Sequence, residues 1–280
     1  MPRMDMPTAR SPIGEHLRHW RQHRRLSQQD LALEAAVSTR HLSCMETGRA
    51  QPSREMVLRL ADRLDVPLRE RNALLVAAGF APMYQARPLD HPDLAAARRA
   101  VDLVLKGHEP NPALAVDRHW NLVAANAAVP PLLAGVAPHL LAPPVNVLRL
   151  SLHPEGLGPR IANAGQWRAH LLHRLQQQIA ATADGGLQAL HDELAAYPIA
   201  PNTAEAAEAP AGHGAAAADI VVPFQLRTPQ GLLSFISTVT IFGTPVDVTL
   251  QELAVESFFP ADPATQAALA AMQDGGLLSK

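Results

Sequence analysis

The chain has 280 residues and a formal net charge of −2 that conceals an asymmetry: residues 1–80 carry 13 Arg against 9 Asp and Glu, whereas residues 81–280 carry 11 Lys and Arg against 17 Asp and Glu. The length exceeds the ~100–200 residues of one ordinary domain, so two domains are expected, each able to bury a core. A single cysteine, Cys44, excludes an intramolecular disulfide and a multi-cysteine zinc site; the lack of an ~18-residue apolar run, and of an apolar leader at the N-terminus, points to a cytoplasmic protein with no membrane span.

Five helices fit within residues 11–79, each with its own start signal. Ser11-Pro12 sets a cap residue before a proline at the first helical position, and Ile13, Leu17 and Trp20 follow on one face. Ser27-Gln28-Gln29-Asp30 is a capping box, with Leu31, Ala32 and Ala35 beyond it. Ser38 caps a third helix whose Leu42 and Met45 point inward, and Gly48 ends it because glycine accepts the left-handed closing conformation. Ser53 caps a fourth helix striped by Met56, Val57, Leu60 and Leu64, and Pro67 opens a fifth that runs to Gly79. Residues 1–81 thus form an all-α domain.

Residues 82–92 hold three prolines and no apolar period, the composition of a linker. A second domain is expected over 93–270, followed by a tail at 271–280. It opens with a helix at about 93–106; two strands, 113–117 and 120–126, then meet at an Arg118-His119 turn, with Asn126 capping a following helix. Residues 146–196 are helical in pattern, and Ala200–Ala218 is an Ala/Pro/Glu-rich loop. Strand signals return at 219–228, 232–242 and 246–258, the last with a phase shift that a bulge near Gln251 would explain. The sum is an α+β domain, an antiparallel sheet of about five strands with helices on one face.

A short second helix packed against a third lets the third enter the DNA major groove while the start of the second rests on phosphates. With Leu42 and Met45 inward, Thr39, Arg40, Ser43 and Cys44 share the outer face, and Arg40 can make a bidentate contact to guanine. Gln28, Gln29 and Arg49 are phosphate-side candidates, and Ser38, at the start of the third helix, is a further DNA-binding candidate. Every basic residue in this first block is arginine, the side chain whose planar fork suits phosphate and guanine. The run LSQQDLALEAAVSTRHLSCMETGRAQPSREMVLRLADRLDVP resembles the phage-repressor and Xre-type helix-turn-helix family over residues 13–66. The resemblance implies that Gln28 touches the DNA backbone, that Thr39, Arg40 and Cys44 approach base edges, that Arg49 grips phosphate, and that Arg21 pairs with Glu46 structurally. Ala36 departs from the pattern, since the family often has a turn glycine there.

Farther along, LLVAAGFAPMY, VDRHWNLVAANAA, NVLRLSLHPEGL and STVTIFGTPVDVTLQELAVESFFPAD resemble the MmyB-like regulators over most of residues 70–265. That resemblance implies a PAS-like domain holding a small, fatty-acid-like molecule between sheet and helices. The candidate ligand-binding residues are Trp120, Leu122, Arg149, His153, Phe224, Phe235 and Val239. Apolar rows such as Phe224 with Leu226, or Phe235 with Val239, suit a core as well as a pocket. Arg149, His153 and Arg160 suit either a ligand carboxylate or structural ion pairs.

Other features carry less. His16, His19 and His23 align on one helix face but lack the partners of a metal site, and Cys44 is a small neutral contact in the absence of a basic neighbour. Basic residues such as Arg24, Arg54 and Arg63 are expected on solvated surface. The glycines at 212 and 214 follow no strand, and no nucleophile elbow, phosphate loop or cofactor motif is present, so an enzyme is not expected. The sequence therefore predicts a regulator that binds palindromic double-stranded DNA as a homodimer, because two recognition helices must meet grooves about 34–36 Å apart. Its second domain either senses a small apolar molecule or serves only dimerisation and protein interaction.

Overall fold

The computed structural model describes residues 12–198, 221–243, 245 and 247–277. In chain order these form helices α1 (Pro12–His23), α2 (Gln28–Glu34), α3 (Thr39–Glu46), α4 (Arg54–Arg63), α5 (Leu68–Ala77) and α6 (Ala95–Gly107), then strands β1 (Ala113–Val116) and β2 (Leu122–Ala125). Helices α7 (Val147–Leu152), α8 (Ala164–Thr182) and α9 (Gly185–Ala196) precede β3 (Phe224–Thr228), β4 (Gly231–Ile241), α10 (Val248–Gln251), β5 (Ala254–Pro260) and α11 (Pro263–Leu277). The chain divides into two compact units, Met1–Arg87 with Pro245–Gln251, and Pro88–Thr244 with Glu252–Lys280.

The first unit is all helical. Ser27 accepts a hydrogen bond from the Asp30 amide at 3.1 Å while the Asp30 carboxylate accepts one from Ser27 N at 3.0 Å, and Ser38 and Ser53 cap α3 and α4 in the same local manner. Ser11 lies outside the described residues. All five helices then close by one device, an amide reaching back five residues past a left-handed residue: Leu26 to Arg21, Val37 to Ala32, Arg49 to Cys44, Val66 to Ala61 and Phe80 to Leu75, at 2.8–3.0 Å. Glycine supplies the left-handed position only at Gly48 and Gly79; Arg25, Ala36 and Asp65 supply the others at φ 56, 54 and 45°. A side chain in that region costs about 1–2 kcal/mol, so Ala36→Gly is expected to stabilise the unit by about 1 kcal/mol in urea unfolding. An unchanged midpoint would mean that the turn carries no strain.

The core of this unit is Ile13, Leu17, Trp20, Leu31, Leu42, Met45, Leu60 and Leu74, all buried. The proline-rich stretch after α5 is fastened to it, since Asn72 Oδ1 accepts from the Met83 and Tyr84 amides at 2.9 and 3.0 Å. The segment around α10 belongs to the same unit. Val248 N donates to Gln85 O at 2.8 Å, Asp247 pairs with Arg87 at 3.3 Å, and Gln251 Oε1 accepts from the first amide of α5, Leu68 N, at 2.8 Å. These residues correct the strand expected over 246–258. Asp247 Oδ1 takes the Thr249 amide and Asp247 O the Gln251 amide, so an Asp cap starts a helical turn where apolar alternation suggested a bulged strand.

The second unit is built on a five-stranded sheet in the order β2-β1-β5-β4-β3, every neighbouring pair antiparallel. Helices cover both faces, not one. Val101 and Leu105 of α6 pack with Ala113, Ala115, Leu253 and Val255 on one side. On the other, the larger core joins α7, α8 and α9 to Phe224, Leu226, Leu233 and Phe235. Asn126 caps no helix: its Oδ1 accepts from Ala113 N and its Nδ2 donates to Leu105 O and Asn111 O, tying the end of α6 to the start of β1.

Candidate nucleic-acid interface and ligand cavity

Helix α3 owes its orientation to a buried carboxylate at its last residue. The Glu46 side chain is 0% exposed and receives Arg21 Nε at 2.6 Å, Arg21 Nη2 at 2.9 Å and Gln28 Nε2 at 2.8 Å. Burial pushes its pKa up, but the hydrogen bonds from Arg21 and Gln28 outweigh that and hold it below the ordinary value. Three helices are thereby joined at one point. Gly14, which the sequence reading passed over, permits the approach of α1 to α3, because a Cβ there would sit 2.6 Å from the Met45 and Glu46 carbonyl oxygens. A glycine inside an amphipathic helix was the available signal.

With α3 fixed in this way, Ser38, Thr39 and Arg40 are exposed and Ser43 and Cys44 are half-buried on the outer side, together with exposed His41, which the sequence reading omitted. Gln29 and Arg49 are exposed as well. Gln28 has one amide hydrogen engaged by Glu46 and one left over. The arginines divide sharply. Arg24 donates to the Leu64 and Asp65 carbonyls at 2.8 and 2.9 Å, closing α4, so it is structural where solvated charge was expected. Arg71 closes onto Val66 O, and Arg54 lies over Phe80. The Arg40 and Arg49 guanidinium groups have no hydrogen bond or ion pair among the described residues.

In the second unit a cavity of about 80 Å³ lies between the sheet and α7–α8. Phe224 and Phe235 line it, as do Leu148 and Leu150 of α7, Trp167 of α8, and Phe258 and Glu256 of β5. The other expected ligand residues lie elsewhere. Trp120 is in the same core but bonds Gln178 Oε1 through its indole N–H, and Leu122 is half-buried on β2. Val239 shares the sheet face with Glu256 but is 43% exposed. Arg149 makes a bidentate pair with Glu193 at 2.8 and 2.7 Å, and Tyr197 donates to the same carboxylate at 2.5 Å. Burial and then that carboxylate push the Tyr197 hydroxyl up to about 12, and the Arg149 hydrogen bonds hold Glu193 below its ordinary value. His153 stacks edge-on against Tyr197, and Arg160 donates to the Leu132, Ala134 and Arg227 carbonyls.

One group among the described residues could approach a metal, His139, His153 and Glu155, with ligand atoms within 4.8 Å of one another. The His153 Nδ1 lone pair there already accepts the Glu155 amide at 3.1 Å. No described helix is long and apolar enough to cross a membrane.

The MmyB-like transcription regulator ligand binding domain family matches residues 97–272, and the helix-turn-helix domain family matches residues 12–74. The restriction-modification controller protein C.AhdI from Aeromonas hydrophila is similar at 31% identity, covering 22% of this chain and 92% of that one, with a TM-score of 0.21. The clp gene regulator ClgR from C. glutamicum is similar at 26% identity, covering 25% and 86%, with a TM-score of 0.22. No curated protein sequence matches the chain.

Proposed function

We propose, from the premise that this chain belongs to the MmyB-like transcription regulators and carries a helix-turn-helix DNA-binding domain, that it is a cytoplasmic, ligand-responsive switch acting as a homodimer on a palindromic operator. Thr39, Arg40, Ser43 and Cys44 read base edges in the major groove, while Gln28, Gln29, Ser38 and Arg49 contact phosphates. The observation that carries this reading is the uncommitted state of the exposed Arg40 and Arg49 side chains on or beside α3, in a unit whose half-buried Arg21, Arg24 and Arg71 close the fold. A phosphate contact is sequence-blind. Arg49→Ala is therefore expected to weaken operator and random DNA alike and to reduce the slope of log affinity against log salt by about 0.9. A variant that weakens the operator alone would move Arg49 to the base-reading face.

The second unit is proposed to hold a small apolar molecule against Phe224 and Phe235, and this occupancy shifts the dimer between DNA-binding geometries. The alternative, a purely dimerising or protein-binding unit, is favoured by one observation: 80 Å³ is well under the roughly 300–1,000 Å³ of ordinary ligand sites. Native and then denaturing mass spectrometry of the purified protein separates the two. A released apolar molecule supports sensing, and a mass equal to the bare chain in a stable dimer supports the alternative.

A further inference from the structure

Glu256 is a charged residue on an apolar sheet face. In the central strand β5 it stands opposite Leu114 of β1 and Val239 of β4, on the same face as Phe258. The residue is 5% exposed and its side chain 7%, and it lines the cavity. Such a group is the informative exception in a core, since an isolated buried carboxylate is strongly disfavoured. Arg174 of α8 compensates part of it. Its Nη1 donates to Glu256 Oε1 at 2.7 Å while the guanidinium lies over the Trp120 ring, 4.5 Å from the centroid.

That leaves Oε2, which has no hydrogen-bond partner among the described residues. Every sealed side-chain polar atom described does have a partner, so Oε2 keeps some accessible surface, and Glu256 is one of the residues that line the cavity. The other polar side chain on the wall is Ser151. Its Oγ accepts from Trp167 Nε1 at 3.0 Å and keeps its own proton to donate. Among the described residues no Arg, Lys or His lines the cavity. A ligand carboxylate would thus meet a second negative charge in a low-dielectric space whose described wall carries no cation, Arg174 being held already by Glu256 Oε1. A hydroxyl or amide N–H would instead satisfy Oε2 by a charge-assisted hydrogen bond, and a hydroxyl could also accept from Ser151.

We infer that Glu256 selects an apolar ligand carrying a neutral hydrogen-bond donor, of which a medium-chain alcohol is the simplest, and rejects free carboxylic acids. This rests on reading the cavity as a ligand site, and it departs from the fatty-acid-like molecule that the family resemblance implies. The acceptor is carried by the chain itself, so the preference follows from the sheet register, which places Glu256 among Leu114, Val239 and Phe258.

The test is isothermal titration of the full chain with 1-octanol and with sodium octanoate at about pH 7.5, where a carboxylic acid is ionised. The alcohol is expected to bind at least about tenfold more tightly, and Glu256→Gln to bring the two within about threefold, because a neutral amide of the same shape no longer repels the acid. Octanoate binding as tightly as octanol overturns the inference while leaving the apolar site in place. Binding of neither at millimolar concentration defeats the ligand-site reading itself. Should circular dichroism show that Glu256→Gln fails to fold once Arg174 loses its partner, the comparison on the unaltered chain decides alone.

Discussion

Glu46→Ala is expected to cost the DNA-binding unit about 3–5 kcal/mol, the range found when one member of a buried ion pair is removed. The reason is the charge left behind. Arg21 has a side chain only 11% exposed and would keep one carbonyl, Leu26 O, in place of its bidentate partner. Gln28 would lose its acceptor on the same step, and α1, α2 and α3 would no longer meet at a shared group. A small domain holds about 5–15 kcal/mol in total, so a large share of the unit's stability is at stake. Native-state hydrogen exchange of the α1–α3 amides reads the effect on this unit alone, and a loss below about 1 kcal/mol would show the pair to be dispensable.

The same site gives a pH signature. Because Glu46 is held below its ordinary value of 4.5, its contribution is fully present above that value and is lost as pH falls through the lower folded-state value. Acid should therefore erode the unaltered unit below the ordinary carboxylate range, and this slope should be absent from the alanine variant. Glu46→Gln, which keeps an acceptor for Arg21, is expected to lose less stability and to show no such slope either.

Arg40→Ala should leave the fold intact and relax sequence preference at a single operator position by about 1–3 kcal/mol, or roughly five- to 150-fold. The argument is one of position. Arg40 is exposed in the first turn of α3, which begins at the Ser38 cap, and nothing described in the chain engages its guanidinium. Competition binding against operators substituted at each base pair is the measurement. Affinity for random DNA should change far less than operator discrimination. Unchanged selectivity would displace the base-reading face from this helix.

What could be read from the sequence follows the range of the interactions. Ser27, Ser38 and Ser53 act within three residues of themselves, so their caps are visible in the string. The glycine-free closings at Arg25, Ala36 and Asp65 are not, because the left-handed state there is imposed by the packing of the next apolar residue. Arg149 gave no local sign of its partner, since Glu193 arrives from α9, 44 residues later. Glu256 was hidden by an assumption about layers. A charged residue in a strand is assigned to solvent when one sheet face is taken to be open, whereas α6 and α7–α8 close both.

The segment around α10 has a consequence for building hybrids. The DNA-reading unit takes Pro245–Gln251 from far along the chain, and Gln251 supplies the acceptor for the first amide of α5. A chimera that joined residues 1–87 to a foreign sensor would transplant a reader missing one of its own pieces, with Arg87 deprived of Asp247 and Val248 no longer filling its place. On the proposed base-reading face, specificity would be exchanged in this chain by regrafting the outer face of α3, and not by swapping the reader as a cassette.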